Sequence, residues 1–208
     1  MIDAAIHSGV FNDLYINSSS DLFKPLATQH GLKFYQRPTR LDDPMLSHEG
    51  FMPDFCQNIS CDYVFMLHST SPFVKPETIE HAVQVLVEGG YDCVFSSIMT
   101  KQLFIHGDHP VNFRWDVPYT QSQRVEPVRE VCWGVTGWKV SSLLEWAKQN
   151  RALTFVGKVG FIPLSKIEAI DIDDEDDFQL AELVARSLDA EAPSAYLEKS
   201  DQMPLSSS

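Results

Sequence analysis

The chain is short of base. Its 208 residues carry 16 Lys and Arg against 29 Asp and Glu, a formal net charge of −13. That deficit argues against a general nucleic-acid or anionic-membrane surface, since both need clustered cations. No apolar run approaches the roughly 18 residues that a membrane span requires. Met1–Val10 has no Lys or Arg ahead of an apolar stretch, so it does not read as a secretory leader. Cysteine is also scarce: Cys56, Cys61, Cys93 and Cys132 form no C-x-x-C pair, and no His follows at zinc-finger spacing. A disulfide scaffold is thereby excluded, and each thiol, set among apolar neighbours, is expected to behave as a small hydrophobe. A reducing, cytoplasmic setting follows as the expectation. G-x-G-x-x-G, Walker-type and G-x-S-x-G loops are all missing, as is any paired Cys/His nucleophile motif.

What is present is an ordinary globular composition, 44% apolar and 22% charged, with 10 Gly and 12 Pro. The length suffices for one domain with a real core. Short apolar strands alternate with amphipathic helices. Met1–Ser8 reads as a helix stopped by Gly9, Leu14–Asn17 as a strand, and the next helix runs from an Asp21 cap to His30. Leu32–Tyr35 is a second strand and Ser47–Ile59 a helix. Asp62–Leu67 is the strongest strand, an unbroken apolar run suited to the centre of a parallel sheet. Pro76–Glu88 is a helix whose Ile79, Ala82, Val83, Leu86 and Val87 share one face. Asp92–Ile98 and Val131–Val140 are strands on either side of an irregular, aromatic-rich insertion, residues 100–130. A helix capped by Ser141 follows, then strands over Leu153–Val159 and Ile167–Ile172, then a last helix over Asp173–Ser187 with an acid-rich first turn. The alternation predicts an α/β sandwich with a mostly parallel sheet. Residues 189–208, rich in Ala, Pro, Glu and Ser, are expected to form a disordered tail after a single domain over 1–188.

Four clusters could carry chemistry. His68-Ser69-Thr70-Ser71-Pro72 follows the strongest strand, where open α/β sheets bind ligands, and its hydroxyls and imidazole suit a polyhydroxylated molecule; the same residues could simply cap the next helix. Asp171-Ile172-Asp173, read at the strand period of two, places both carboxylates on one side, an arrangement suited to Mg²⁺. An acid-loaded helix start accounts for Asp174–Asp177 but not for Asp171. Arg37, with Arg40 and Lys75, offers cations for a carboxylate or phosphate. Gln121–Pro127 offers amides that can both donate and accept, or is a polar hairpin loop.

Taken in order, these segments resemble the acylneuraminate (CMP-sialic acid) cytidylyltransferase family. Leu67-His68-Ser69-Thr70-Ser71-Pro72-Phe73-Val74 is similar to the family's L-Q-P-T-S-P-L-R, and Arg37-Pro38-Thr39-Arg40-Leu41 to its R-P-x-x-L. Gln123-Arg124-Val125-Glu126-Pro127 is similar to Q-D-L-x-P, and Asp171-Ile172-Asp173 through Asp177-Phe178 to D-I-D-x-x-x-D-F. The resemblance implies a Rossmann-like, three-layer nucleotidyltransferase fold of the nucleotide-diphospho-sugar transferase type, usually a homodimer. It implies that Asp171 and Asp173 hold Mg²⁺ and act in catalysis, and that Arg37, His68, Thr70, Ser71 and Gln123 line the cleft for sugar and nucleotide. The implied reaction joins CTP to an acidic 2-keto sugar and releases pyrophosphate.

The departures lie at His68, Ser69, Val74 and Arg124, where the family has Gln, Pro, Arg and Asp. The family also opens with a strand and a loop resembling R-x-G-S-K-x-x-x-x-K-N that holds the triphosphate, and Met1–Gly9 matches a helix downstream of that loop. The expectation is therefore an N-terminally incomplete domain with impaired activity and a strand left unpaired in its sheet. The alternatives are a non-catalytic relative that binds a sugar or a partner, and a glycosyltransferase with its metal at Asp171-x-Asp173.

Overall fold

The computed structural model describes residues 1–43, 45, 47–116, 118 and 125–189. Gln121–Arg124 and the tail after Asp189 lie outside them. The chain divides into two compact units, Met1–Asp171 and Ile172–Ser208.

The first unit opens with α1 (Ile2–Ser8), ended by Gly9 in the left-handed conformation at φ 64°. β1 (Tyr15–Ser18) leads into a single 3-10 turn, Asp21–Phe23, and α2 (Lys24–Gln29), then β2 (Lys33–Gln36). The cap of that turn is Ser20, whose hydroxyl accepts from Leu22 N, rather than the expected Asp21. α3 (Ser47–Asn58), β3 (Tyr63–Leu67), α4 (Pro76–Glu88) and β4 (Cys93–Thr100) follow within a few residues of the sequence reading. Among its described residues the insertion holds the two-residue strands β5 (Ile105–His106) and β6 (His109–Pro110), and β7 (Val128–Lys139) follows. α5 (Val140–Lys148) starts one residue before Ser141 with no side-chain cap; Ser142 instead donates to Asp92 Oδ1 at 2.6 Å. β8 (Val159–Pro163) ends the strands of this unit.

The main sheet runs β3-β7-β4-β8, and β1-β2 form a separate parallel pair. β7 is antiparallel to both β3 and β4, while β4 and β8 are parallel. The sheet is thus mixed, not mostly parallel, and β3 lies at its border, not its centre. Hydropathy could not reveal this: a β7 that returns through a long insertion has the same apolar residues whichever way it runs.

Helices cover both faces of the sheet layer. On one face α3 and α5 enclose a cluster around Phe55, Val64, Phe95, Trp138 and Leu143. On the other, α1 and α4 pack Ala5, Ile79, Ala82 and Leu86 on Val94, Val135 and Ile162. Each fully buried aliphatic side chain contributes about 1.5–3 kcal/mol. The helix face read from Pro76–Glu88 is the buried one at Ile79, Ala82 and Leu86, although Val87 faces solvent.

Two expected strands are coil. In 151–158, Leu153 and Val156 are buried, so the apolar signal was real, but it marked burial and not pairing. The backbone there is satisfied by side chains: Leu153 N and Thr154 N donate to Glu49 Oε1 at 2.9 and 3.1 Å, and Trp138 Nε1 donates to Leu153 O at 3.1 Å. Residues 166–169 form turns, with Ile170 N donating to Ile167 O at 3.2 Å. The period-two argument that aligned Asp171 with Asp173 therefore has no strand to rest on.

In the second unit α6 (Glu175–Asp189) is capped reciprocally. Asp177 N donates to Asp174 Oδ1 at 3.0 Å, and Asp177 Oδ2 accepts from Asp173 N at 3.1 Å. This is the acid-rich helix start read from the sequence.

Candidate active site

A break in the β4–β7 ladder builds the site. Phe95 pairs with Thr136 but Ser96 pairs with Cys132, so Trp133, Gly134 and Val135 bulge out of register. The buried Ser96 hydroxyl fills the break, donating to Cys132 O at 2.8 Å and accepting from Val135 N at 3.0 Å. Bulges commonly re-aim a strand beside a functional site. Here the displaced stretch forms one wall of a pocket of about 130 Å³ lined by Ser71, Glu130–Gly134, Glu168, Ala169 and Asp171. Drug-sized ligand sites run to roughly 300–1,000 Å³, so this volume suits part of a substrate, not a whole nucleotide.

The loop after β3 supplies the opposite wall. Ser71 is buried and its amide donates to His68 O at 3.2 Å, while His68 N donates to Gly134 O at 3.3 Å, tying the loop to the bulge. The space is tight, since a Cβ on Gly134 would lie 3.0 Å from Val74 Cγ2 and 3.3 Å from Ser71. Thr70 is half-buried in the same turn. Glu168 forms the floor, accepting from the Thr78 hydroxyl, from Ser165 Oγ at 2.8 Å and from Ser165 N at 3.2 Å. Burial pushes its carboxyl up, but those donors outweigh it and hold the pKa below the usual value.

Two atoms are left over. Asp171 Oδ1 and His68 Nε2 are both buried without a hydrogen-bond partner. Burial pushes the His68 pKa down, and the nearby Asp171 carboxylate works in the opposite direction. His68 also lies beside Trp133, ring centroids 6.0 Å apart. Buried polar atoms normally find partners, and the exceptions call for an explanation.

The other expected site residues are placed differently. Arg37, after β2, is paired with Asp42, Nη2 to Oδ1 2.9 Å and Nε to Oδ1 3.0 Å, and its guanidinium lies 4.8 Å from the Phe51 ring centroid. It is spoken for by its own loop. Arg40 is paired with Asp54 at 3.0 Å. Asp173 is exposed at the start of the second unit, and Gln123 lies outside the described residues. Among the described residues, no three His, Cys, Asp or Glu side chains gather to hold a metal by themselves. Mg²⁺ does not need that, because it keeps waters and takes one or two carboxylates with substrate phosphates. A buried, unpartnered carboxylate oxygen at a pocket fits such an ion.

Sequence reasoning missed Glu168, Trp133 and Cys132. The buried Ser96-Ser97 pair in an otherwise apolar strand was the available signal, since such hydroxyls need backbone groups that a regular ladder does not leave free. All four thiols are free, and burial pushes Cys56 up to about 12 and Cys93 to about 11.

Comparison with known proteins bears on the family and the fold. The family model described as "Cytidylyltransferase" matches residues 1–125. The N-acylneuraminate cytidylyltransferase A of Danio rerio is 27% identical over 116 residues, which is 55% of this chain and 25% of that protein. The chain thus spans about a quarter of the length of that relative. Among solved structures, a CMP:2-keto-3-deoxy-manno-octonic acid synthetase complexed with CTP superposes with a TM-score of 0.64 at 9% identity, covering 89% of this chain and 86% of the other. The 4-diphosphocytidyl-2C-methyl-D-erythritol synthase of Anaerococcus prevotii superposes with a TM-score of 0.62 at 11% identity, with the same coverages of 89% and 86%. At such identities the likeness is one of fold: a Rossmann-like α/β nucleotidyltransferase architecture on a mixed sheet.

Proposed function

Since the chain belongs to the cytidylyltransferase family, we propose that it transfers CMP from CTP to an acidic 2-keto sugar of the sialic-acid kind, releasing pyrophosphate. The observation that carries the reading is Asp171, whose buried Oδ1 has no partner at the end of a pocket built by the β4–β7 bulge. The sugar's anomeric hydroxyl attacks the α-phosphorus and pyrophosphate leaves, so the protein's task is to position reactants and offset charge. Asp171 would hold Mg²⁺, which when bound would neutralise phosphate charge as it develops. Ser71 and Thr70 bind and orient sugar or nucleotide hydroxyls from the loop after β3, and Gln123 does so from the insertion. His68 offers its buried, unpartnered Nε2, where the resembled family has an amide. Arg37 reaches an anionic group only after exchanging Asp42 for it, and that exchange weakens its contribution. The chain is expected to act in the cytoplasm as a homodimer; exposed Met99, Leu103, Ile105, Val111 and Trp115 on and beside the insertion support a second copy there.

The test is direct. The protein is incubated with CTP, Mg²⁺ and either N-acetylneuraminate or 2-keto-3-deoxy-octonate, and CMP-sugar and pyrophosphate are quantified by chromatography. CMP-sugar formation that disappears in Asp171→Asn supports the reading. Absence of both turnover and Mg²⁺-dependent CTP binding overturns it.

A further inference from the structure

β3 and β8 stand at opposite borders of the main sheet, with β7 and β4 between them. At the usual strand spacing they are about 14 Å apart, and no ladder joins them. The two walls of the pocket nevertheless grow from their ends. The loop 68–75 leaves β3 carrying Thr70 and Ser71, and the loop 164–171 leaves β8 carrying Asp171. Loops from such distant strands keep one spacing only if something joins them.

Among the described residues, the hydrogen bonds between 68–78 and 164–171 all end on Glu168, which is only 6% exposed. Its two oxygens serve different loops. Oε1 accepts from Lys75 N at 3.4 Å and from the Thr78 hydroxyl, where the first loop enters α4. Oε2 accepts from Ser165 N at 3.2 Å and from Ser165 Oγ at 2.8 Å, in the second loop. Two turns then carry the chain to Asp171, closed by Ala169 N on Ser165 O at 3.1 Å and Ile170 N on Ile167 O at 3.2 Å.

The donors around Glu168 call for a carboxylate. Each oxygen faces one backbone N–H, a group that donates and cannot accept. An amide in the same place, turned either way, sets its NH2 group against one of those two N–H groups.

We propose that Glu168 is a positioning residue, whose carboxylate ties the loop after β3 to the loop after β8 and so fixes the spacing of Ser71 and Asp171 across the pocket. The tie needs no substrate; its consequence for turnover rests on the reaction proposed above. Glu168 spends both oxygens on protein donors, so it acts through Asp171 and Ser71 and not on the reactants.

Cys132 reports the tie. It is a free thiol that lines the same pocket, whereas Cys61 does not line it and Cys56 and Cys93 are buried. The full chain is alkylated with iodoacetamide in the absence of substrates, and the rate at each cysteine is followed by mass spectrometry of its peptides. Glu168→Gln is expected to raise the rate at Cys132 about fivefold, with Cys61 unchanged, because the local opening loses hydrogen bonds to a charged group. Thr78→Val removes one donor and should give about half that rise, while Thr78→Ser keeps the hydroxyl and should match the parent. In turnover with CTP and sugar, Glu168→Gln lowers kcat per folded molecule about tenfold with little change in the KM for CTP, since Asp171 is displaced and not removed. An unchanged rate at Cys132 in Glu168→Gln overturns the proposal, as does equal acceleration of all four cysteines, which reports a general loss of stability. Where Glu168→Gln does not fold, Thr78→Val against Thr78→Ser decides by the same rates. A parent without turnover counts against the reaction alone, and the alkylation rates still decide the tie.

Discussion

Two stretches of coil, 151–158 and 164–171, teach different lessons from similar sequences. Both are rich enough in aliphatic residues to be read as strands, and both depend on a glutamate. Glu49 gathers Leu153 N, Thr154 N and Thr154 Oγ, and together with Trp138 it closes the polar account of the first stretch. Glu168 does the same for the second through Ser165 and Thr78. The second stretch then ends on Asp171 with one oxygen unsatisfied, and the first leaves no such orphan among its described side chains. Buried carboxylates with full hydrogen-bond sets hold structure, and the one with a vacancy is where a ligand gains most.

That contrast can be broken in order of effect. Asp171→Asn is expected to lower CTP-dependent turnover on the order of 100-fold while leaving the urea midpoint unchanged, because a charge facing the reactants is lost but no structural bond is. A variant that unfolds with its activity would place Asp171 with the structural carboxylates. Glu49→Ala is expected to do the reverse. Two part-buried amides and a hydroxyl lose their acceptor, and unfolding in urea should show a loss of about 1–3 kcal/mol. Residual turnover per folded molecule should stay near the parent value.

Gly134→Ala comes next. Its new methyl must push Val74 or Ser71 by a few tenths of an ångström, costing about 1–2 kcal/mol. It should raise the KM for sugar more than a methyl placed elsewhere on β7, because Ser71 lines the pocket.

The smallest effect is a pH dependence of stability in the region of the first stretch. Burial holds the His48 pKa below 6.5, against the pull of Glu49. The unfolded chain therefore binds the proton first, and stability falls as pH drops below 6.5. Burial pushes Glu49 up, but Thr154 and the Leu153 and Thr154 amides hold its pKa below 4.5, so its contribution is present above 4.5 and lost as pH falls further. Urea titrations of the parent and of His48→Phe between pH 7 and 5 should differ in slope, the variant being flatter.

Much of the local order could be read without coordinates. Gly9 stops a helix because a left-handed residue is required there. Pro76–Glu88 shows its buried face in the spacing of Ile79, Ala82 and Leu86, and the polar run from His68 to Pro72 does turn at a strand end beside a pocket. The strands over 153–159 and 167–172 were misread because hydropathy reports burial and is silent on which partner satisfies the backbone. Arg37 could not be known to pair with Asp42, nor Glu168 to reach back to Thr78 across ninety residues.

The sequence alone determined the helices and the strands β1 to β4 and β7 to within a few residues, and the order of the motifs that resembles the cytidylyltransferases. Those depend on neighbours three or four residues apart and on fixed side-chain chemistry. Only the tertiary structure decided that β7 runs against its neighbours, that Ser96 props open the bulge holding Trp133 and Gly134, and that β1 and β2 pair apart from the main sheet. Each of these is a choice of hydrogen-bond partner between distant residues. Backbone amides are chemically alike, so their pairing is settled by packing and not by local composition.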